Sequence, residues 1–339
     1  MKPRIAINGF GRIGRTALRV IFEYNKDVEV VAVNDLTSPE NLAYLLEYDS
    51  VFGRFNHPVA FGKDFLVVAG KKIKVLAEKD PAALPWKEMN IDVVLECTGF
   101  FTKGPDARKH IDAGAKQVII SAPTSSPEVP TIVLGVNDKK YKSSMQVIAN
   151  ASCTTNCVSP VMAVLEAHFG IVKAMMSTVH SYTATQSLVD GPNKHDARSG
   201  RAAAYNIVPH TTGAAEAVIK TLPELEGKFD GMAMRVPTID VSISDFTALL
   251  KKKTTVEELN DVFKEATQNP IYKNVLAVTD KPLVSRDFVK DPHSAIVDLA
   301  LTKVVDGDLV KVVAWYDNEW GYSTRLVEQA EEIGKKINA

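Results

Sequence analysis

The sequence predicts a two-domain α/β protein, with a doubly wound sheet in the first half and a largely antiparallel sheet in an α+β second half. Up to about residue 150, short apolar strands alternate with segments of helical periodicity, a pattern typical of βαβ units. Beyond that point strand-like segments predominate, among them residues 240–250, 294–305 and 309–318. We therefore expect a first domain over 1–152 and a second over 153–318.

Composition excludes several classes of protein. The 339 residues are 45% apolar and 24% charged with a formal net charge of −1, which does not indicate nucleic-acid binding. No apolar run is long enough to span a membrane, and we do not expect the N-terminal residues to act as a signal peptide. The three cysteines are few and odd in number and match no zinc spacing, so we expect a cytoplasmic protein without a metal.

A glycine motif, Gly9-Phe10-Gly11-Arg12-Ile13-Gly14, follows the first predicted strand and opens a helix. Gly9 permits a tight turn, Gly11 lets the backbone approach a pyrophosphate, and Gly14 lets the helix pack on the sheet. Asp35 ends the second strand about 20 residues further on, where its carboxylate would accept bonds from a ribose diol and repel a 2′-phosphate. A glycine-rich turn without ligand is the alternative. The glycine motif between a strand and a helix, together with Asp35, favours a Rossmann-type domain that binds NAD.

Two later strands of this half end in small polar residues. Thr98 and Ser121 follow predicted strands, and ligands of a doubly wound sheet bind beyond such carboxyl ends. Both are therefore candidates to line the cofactor site. Cys97 lies inside an apolar strand, where core packing is the expected role.

The heptapeptide Ala-Ser-Cys-Thr-Thr-Asn-Cys at 151–157 follows the last strand of this half and begins a helix. Partial positive charge at a helix N-terminus favours a thiolate, so Cys153 is a candidate nucleophile. Cys157 would lie one turn away on the same face. Packing of both cysteines is the alternative, and a Cys153–Cys157 disulfide on oxidation stays open for Cys157.

The second half contains further polar candidates. His180, on a strand-like segment, would activate Cys153, although a structural histidine is the alternative. Arg235 lies in an apolar strand and should meet either a ligand anion or a buried carboxylate. Together with the hydroxyls and backbone amides of Ser152, Thr154, Thr183, Thr212 and Gly213, Arg235 suits one or two phosphates.

Several motifs together resemble the phosphorylating glyceraldehyde-3-phosphate dehydrogenases from end to end of the chain. They are Asn-Gly-Phe-Gly-Arg-Ile-Gly-Arg at 8–15, the cysteine heptapeptide at 151–157, Thr-Gly-Ala-Ala at 212–215, Arg-Val-Pro-Thr at 235–238 and Trp-Tyr-Asp-Asn-Glu-Trp-Gly-Tyr at 315–322. The heptapeptide is far more specific than the glycine motif.

This resemblance implies a reaction and its residues. Cys153 would add to the aldehyde of glyceraldehyde 3-phosphate, and His180 would take protons as hydride leaves for NAD and a thioester forms. Inorganic phosphate would then release the acyl phosphate. Ser152, Thr154, Thr183, Thr212, Gly213 and Arg235 match the family's two anion sites.

The resemblance also assigns the cofactor site and the assembly. Residues matching NAD contacts are Arg12 and Ile13 at the pyrophosphate, Asp35 and Lys79 at the adenosine, Ser121 at the nicotinamide ribose, and Asn318 and Tyr322 at the nicotinamide. Position 79 is lysine where many members carry arginine. Family members are homotetramers, and their C-terminal helix, about 319–339 here, packs back on the first domain.

The sequence leaves two alternative functions open. Erythrose-4-phosphate dehydrogenases share the cysteine motif and the fold but resemble this chain less at residues 212–215. A non-catalytic relative that binds NAD or RNA would not require the combination of Cys153, His180 and Arg235, and the neutral net charge disfavours RNA.

Overall fold

The computed structural model describes residues 1–194 and 196–339. The chain forms two compact units, one of residues 1–132, 139–151 and 323–339, the other of residues 133–138 and 152–322. Within the described residues, no helix combines the length and the apolar character needed to cross a membrane.

The first unit contains an eight-stranded sheet and three helices of the N-terminal part of the chain. Its strands are β1 (Arg4–Asn8), β2 (Glu29–Asn34), β3 (Val59–Phe61), β4 (Phe65–Val68), β5 (Lys71–Leu76), β6 (Val93–Glu96), β7 (Gln117–Ile120) and β8 (Val147–Ala149). Its helices are α1 (Arg12–Glu23), α2 (Pro39–Glu47) and α3 (Gly104–Asp112).

The strand order β3-β4-β5-β2-β1-β6-β7-β8 confirms the doubly wound α/β prediction. All neighbouring strands from β5 to β8 run parallel, whereas β3, β4 and β5 form antiparallel pairs at one edge. The direction of the winding reverses between β1 and β6, so the carboxyl ends of these strands flank a crevice. The β4–β5 hairpin turns at Gly70, which has a φ of +78°.

The glycine turn after β1 has the geometry that its residue types predict. Gly9 has a φ of +88°, and a Cβ there would lie 2.6 Å from the backbone nitrogen of Thr98. A Cβ on Gly14 would overlap the carbonyl oxygen of Gly9, so α1 approaches the turn only because this residue lacks a side chain. A Cβ on Gly11 would meet no atom within 4 Å, which leaves open space over the start of the helix.

A buried polar network lies beneath the carboxyl ends of β1 and β6. Trp86 Nε1 donates to His110 Nδ1 at 2.9 Å, so His110 Nε2 carries the proton and donates to Glu96 Oε2, also at 2.9 Å. Asn8 Nδ2 donates to the same carboxylate at 2.6 Å, and Asn8 Oδ1 accepts from Asn34 Nδ2 at 2.7 Å. These bonds satisfy the buried groups and hold the strand ends in register.

The second unit is built on another eight-stranded sheet. Its strands are β9 (Ile171–Ser181), β10 (Val208–Thr211), β11 (Phe229–Val236), β12 (Ser242–Leu250), β13 (Leu276–Thr279), β14 (Ala295–Asp298), β15 (Lys303–Val305) and β16 (Leu309–Tyr316). The remaining helices of the chain are α4 (Cys153–Phe169), α5 (Ala214–Thr221), α6 (Val256–Gln268) and α7 (Trp320–Ile337).

The order β10-β11-β9-β12-β16-β14-β13, with β15 beside β16, gives a mixed sheet in which most pairs are antiparallel. The pairs β9–β11 and β13–β14 are parallel. Apolar residues of α4, α5 and α6 pack with one face of the strands to form the core of this unit. The fold class predicted for the second half is confirmed.

Helix α4 begins where the sequence predicts. Ser152 is its N-cap in extended conformation, and the Ser152 side chain accepts a hydrogen bond from the backbone nitrogen of Thr155 at 3.0 Å. Cys153 is therefore the first residue of the helix, and Cys157 lies fully buried in the apolar core one turn on.

Candidate active site

Cys153 and His180 are in contact within the second unit. The helix start presents the Cys153 sulfur, and β9 presents His180 near its carboxyl end. The distance from Sγ to His180 Nε2 is 3.4 Å, a hydrogen bond when sulfur is one partner. The sequence-predicted nucleophile and base therefore face each other.

The hydrogen bonds of the imidazole define its tautomer. Nδ1 lies 2.7 Å from the carbonyl oxygen of Ser181, which only accepts, so Nδ1 carries the proton. Nε2 then has a lone pair directed at the sulfur. His180 is only 5% exposed, and this orientation suits it to accept the proton of the thiol.

Burial of the site opposes the thiolate that the helix N-terminus favours. Burial raises the pKa of the Cys153 thiol to about 11, although Arg235 and the hydroxyl and backbone of Thr154 lower it. Burial, followed by Arg235, lowers the pKa of His180 to about 4 against the effect of the Ser181 carbonyl. In the ligand-free fold, desolvation thus opposes the effect of the helix N-terminus and favours the thiol and the neutral imidazole.

Tyr316 supports this pair and was not predicted as a site residue. Its hydroxyl lies 3.1 Å from Thr154 Oγ1 and 2.8 Å from Thr178 Oγ1, and its ring meets the His180 ring edge-on with centroids 6.0 Å apart. Tyr316 is 1% exposed. Its position beneath the pair depends on strand register, which a motif does not reveal.

Thr154, predicted at a phosphate, also contacts the surroundings of Cys153. Its hydroxyl, expected to bind phosphate, is buried between Tyr316 and the side of the helix that carries the sulfur. Within this structure it contributes to the surroundings of Cys153, where its hydrogen bond favours the thiolate.

Arg235 is a partly buried cation with no carboxylate partner. Its Nη1 donates to Thr183 Oγ1 at 2.8 Å and to the carbonyl oxygen of Ser181 at 3.4 Å, and its Nε is buried without a hydrogen bond. No carboxylate of the described residues lies within ion-pair distance of it. The buried ion pair offered as an alternative is thus absent there, and the guanidinium is available to an anion.

A second group of donors lies further along the sheet. Gly213 is the N-cap of α5, and Thr212 Oγ1 accepts from the backbone nitrogen of Ala214 at 3.1 Å. In the β10–β11 register Thr211 is opposite Met232. Met232 is three residues before Arg235 on β11, so Thr211 lies about 10 Å from Arg235 measured along the strand. Two anion-binding groups, one at Arg235 and one at the start of α5, fit this spacing better than one.

Asn318 is fixed in the turn between β16 and α7. Its Oδ1 accepts hydrogen bonds from Ser181 Oγ at 2.9 Å and from Ser242 Oγ at 2.8 Å. Its Nδ2 group therefore points away from these hydroxyls and has no partner among the described residues. Tyr322, also predicted at the nicotinamide, is buried in the first turn of α7.

The first unit contains a cavity of about 310 Å³ at the carboxyl ends of β1, β2 and β6. The predicted site residues that line it are Gly9, Gly11, Asp35, Lys79 and Thr98. Asp35 Oδ2 accepts from the backbone nitrogen of Phe10 at 2.8 Å, which holds the carboxylate at the end of β2. The open space over Gly11 and the absence of a side-chain cap on α1 fit the pyrophosphate of a dinucleotide.

Other predicted cofactor residues lie around this cavity. Ile13 is in the first turn of α1, beside Arg12, whose guanidinium pairs with Asp49. Ser121 interacts with the thiol of Cys97. Cys97 was expected in the core but lines the cavity, because it follows the last residue of β6.

No cluster of metal-ligating side chains occurs among residues 1–194 and 196–339. The three cysteines are unpaired, and burial raises the pKa of the Cys157 thiol. Cys157 lies in the apolar core, which suits a packing residue.

Two family models match the chain. Residues 3–104 match the NAD binding domain of glyceraldehyde 3-phosphate dehydrogenase, and residues 152–318 match the C-terminal domain of the same enzyme. Together these matches include the glycine turn, Asp35, Cys153, His180, and Arg235.

Curated relatives are similar over nearly the whole chain. A glyceraldehyde-3-phosphate dehydrogenase of Geobacillus stearothermophilus is 53% identical over 337 residues, which cover 99% of each chain. Enzymes of the same name from Mycolicibacterium smegmatis and Mycobacterium avium are 52% and 51% identical, over 99% of this chain and 100% of theirs.

The geometry predicts that His180 controls the reactivity of Cys153. In His180→Asn the thiol loses its proton acceptor, so alkylation of Cys153 by iodoacetamide at pH 7 should slow about 100-fold and recover as pH rises. The measurement is the rate of labelling of the peptide that contains Cys153. Cys153→Ser gives the background from other cysteines, and an unchanged rate in His180→Asn would contradict the assignment.

Proposed function

The chain belongs to the glyceraldehyde-3-phosphate dehydrogenase family, and on this premise we propose that Cys153 and His180 carry the family's reaction. That reaction is the NAD-dependent oxidation of D-glyceraldehyde 3-phosphate with inorganic phosphate to 1,3-bisphosphoglycerate. The proposal depends on one observation, the 3.4 Å contact between Cys153 Sγ and His180 Nε2. Such a contact joins a nucleophile to its base.

The first step is addition of the thiol to the aldehyde. As Sγ bonds to the aldehyde carbon, the S–H proton passes to His180 Nε2 and then to the carbonyl oxygen, which forms a thiohemiacetal. When bound, NAD supplies the acceptor for the hydride of this carbon. His180 takes the hydroxyl proton, and a thioester on Cys153 results. A neutral pair suits this sequence, since neither the sulfur nor the imidazole then carries a buried charge before the substrate arrives.

The second half of the reaction transfers the acyl group. An oxygen of hydrogen phosphate bonds to the thioester carbon while the C–S bond breaks, and the phosphate proton is released to solvent. His180 returns its proton to the departing sulfur and restores the thiol and the neutral imidazole. Oxidation through a thioester retains in the acyl phosphate the free energy that hydrolysis would dissipate.

Two phosphates are present during this reaction, the phosphate of the substrate and the attacking phosphate. We assign one to Arg235 with Thr183 and the other to Ser152, Thr212 and Gly213. The unpaired guanidinium supports the first site, and the uncapped start of α5 supports the second.

NAD is the cofactor, and its adenosine half is proposed to bind in the 310 Å³ cavity of the first unit. Asp35 would accept hydrogen bonds from the ribose, with Lys79 beside the adenine. Arg12 and Ile13 would meet the pyrophosphate and Ser121 the nicotinamide ribose. Asn318 would donate its Nδ2 group to the carboxamide, with Tyr322 beside the ring.

We propose that the protein works in a reducing cytoplasm, which the three unpaired cysteines support.

We also propose a homotetramer. Exposed apolar side chains on one face of the second sheet, and in the segment that precedes β10, support self-association; they are Val172, Met175, Met232, Leu309, Leu188, Val189, Tyr205 and Ile207. Sedimentation at micromolar concentration should give four times the chain mass of 37.0 kDa. A mass of one chain would contradict this assignment.

The proposed route predicts turnover that requires phosphate. With glyceraldehyde 3-phosphate and NAD alone, NADH absorbance should rise in one burst of about one equivalent per active site, because the thioester waits for its second substrate. Added phosphate or arsenate should give sustained turnover. Cys153→Ser should abolish both phases, whereas steady wild-type turnover without phosphate would mean that water deacylates the enzyme.

Arg235 should contribute to phosphate binding and not to stability. In Arg235→Gln a charge-assisted interaction of about 1.5–3 kcal/mol is lost, which corresponds to a rise of about 10- to 100-fold in KM for one phosphate-bearing substrate. The melting temperature should not fall, because the arginine has no carboxylate partner. Arg235→Lys retains the charge and should recover part of the loss; unchanged KM values in Arg235→Gln would refute the site.

A further inference from the structure

Two buried aspartates lie at the end of the β12–β16 ladder. The last pair of that ladder is Ser242 with Tyr316, so Asp240 and Asp317 extend each strand just beyond it. Asp240 is 2% exposed and Asp317 is 1% exposed, and Asp317 is near enough to raise the pKa of Asp240.

The donors around this pair are distributed unequally. Asp317 accepts from the backbone nitrogens of Lys290 at 2.8 Å, Glu319 at 3.0 Å and Trp320 at 2.6 Å. The N–H of Val241 faces Asp240, but no donor of the described residues forms a hydrogen bond of good geometry with either Asp240 oxygen.

Two ionised carboxylates cannot satisfy this arrangement, because both would be acceptors only. A buried carboxylate without donors is costly, and a second carboxylate beside it adds repulsion. A proton on Asp240 converts it into a donor to Asp317 and removes both costs. The hydrogen-bond inventory therefore requires one proton for the two groups.

We propose that Asp240 and Asp317 share one proton and that this acid pair positions Asn318 for the carboxamide of NAD. The inference rests on the role proposed above for Asn318. Asp317 and Asp240 are positioning residues, since neither would touch the cofactor.

The acid pair acts on Asn318 through the two segments that it joins. Asn318 follows Asp317, and the Ser242 hydroxyl that holds Asn318 Oδ1 lies two residues after Asp240. Between them Val241 has a φ of +67°, a strained conformation for a β-branched residue that persists only where neighbouring contacts hold it. Loss of the shared proton would separate the segments and weaken the Ser242–Asn318 bond.

The charges facing the pair agree with this geometry. Burial, then Asp317 and Glu319, raise the pKa of Asp240 to about 9. Burial raises the pKa of Asp317 to about 6, although its three backbone donors lower it. The nearby cation, Lys290, has its ammonium 4.7 Å from the centroid of the Trp320 ring.

The sign of the pH effect follows from linkage. In the unfolded chain Asp240 loses its proton near the ordinary Asp pKa of 3.8, whereas in the folded protein it keeps the proton up to a pKa of about 9. The free energy of unfolding should therefore fall as pH rises from about 4 to about 9 and should not fall further from this cause above pH 9. An asparagine at 240 is a neutral donor at every pH and removes this dependence.

The test compares wild type with Asp240→Asn between pH 6 and 10. Wild-type affinity for NAD, measured by calorimetry, should fall at least about tenfold from pH 7 to pH 10, whereas Asp240→Asn should keep nearly wild-type affinity throughout. In the cofactor-free proteins, the melting temperature of wild type should fall relative to Asp240→Asn as pH rises to 9. Parallel pH profiles for the two proteins would overturn the proposal.

Two further measurements separate the possible failures. If Asn318→Ala leaves NAD affinity unchanged at pH 7, the proposed role of Asn318 is wrong, whereas the melting comparison still reports the shared proton. If Asp240→Asn does not fold, infrared spectra of the cofactor-free wild type show whether the pair holds a proton. A carboxylic-acid carbonyl band at pH 7 that disappears by pH 10 supports the pair, and its absence at pH 7 overturns it.

Discussion

The contact between the Cys153 thiol and the His180 imidazole is the interaction on which the proposed chemistry of the second unit depends. It requires α4 to begin at Cys153 and β9 to end beside it, and the Ser181 carbonyl must hold the imidazole in one tautomer. Burial disfavours charge on either partner, so the ligand-free fold favours the neutral pair. The surroundings then decide reactivity: Arg235 and the Thr154 hydroxyl favour a thiolate once it forms, and Tyr316 fixes Thr154.

Features that depend on local geometry could be predicted from the sequence. A positive φ at Gly9, close packing at Gly14 and the N-cap at Ser152 follow from residue type and immediate neighbours. The pairing of Cys153 with His180 required family resemblance, since nothing local relates two residues 27 positions apart. Tyr316 was missed because its contacts arise from the register of β16 against β12 and β9.

Electrostatic balance was the least predictable property. The helix N-terminus indicated a lowered pKa for Cys153, but the extent of burial, which is a property of the folded chain, reverses the direction. In the sequence, Arg235 and Asp240 are both charged residue types within or beside apolar strands. In the described fold, Arg235 has no carboxylate partner, and the Asp240 carboxyl group accepts no hydrogen bond of good geometry. A sequence shows that a charge exists; only the fold shows what compensates it.

The two units divide the chemistry between them. Cys153, His180 and Arg235 belong to the unit of residues 152–322, whereas the glycine turn and Asp35 belong to the other. Under the role proposed for Asp35, a change at the end of β2 would alter which nucleotide is accepted and would leave the thiol–imidazole contact intact, so selection could act on the two units through separate mutations. A lineage that descends from this chain could exchange its electron carrier and still inherit its acyl-transfer chemistry whole.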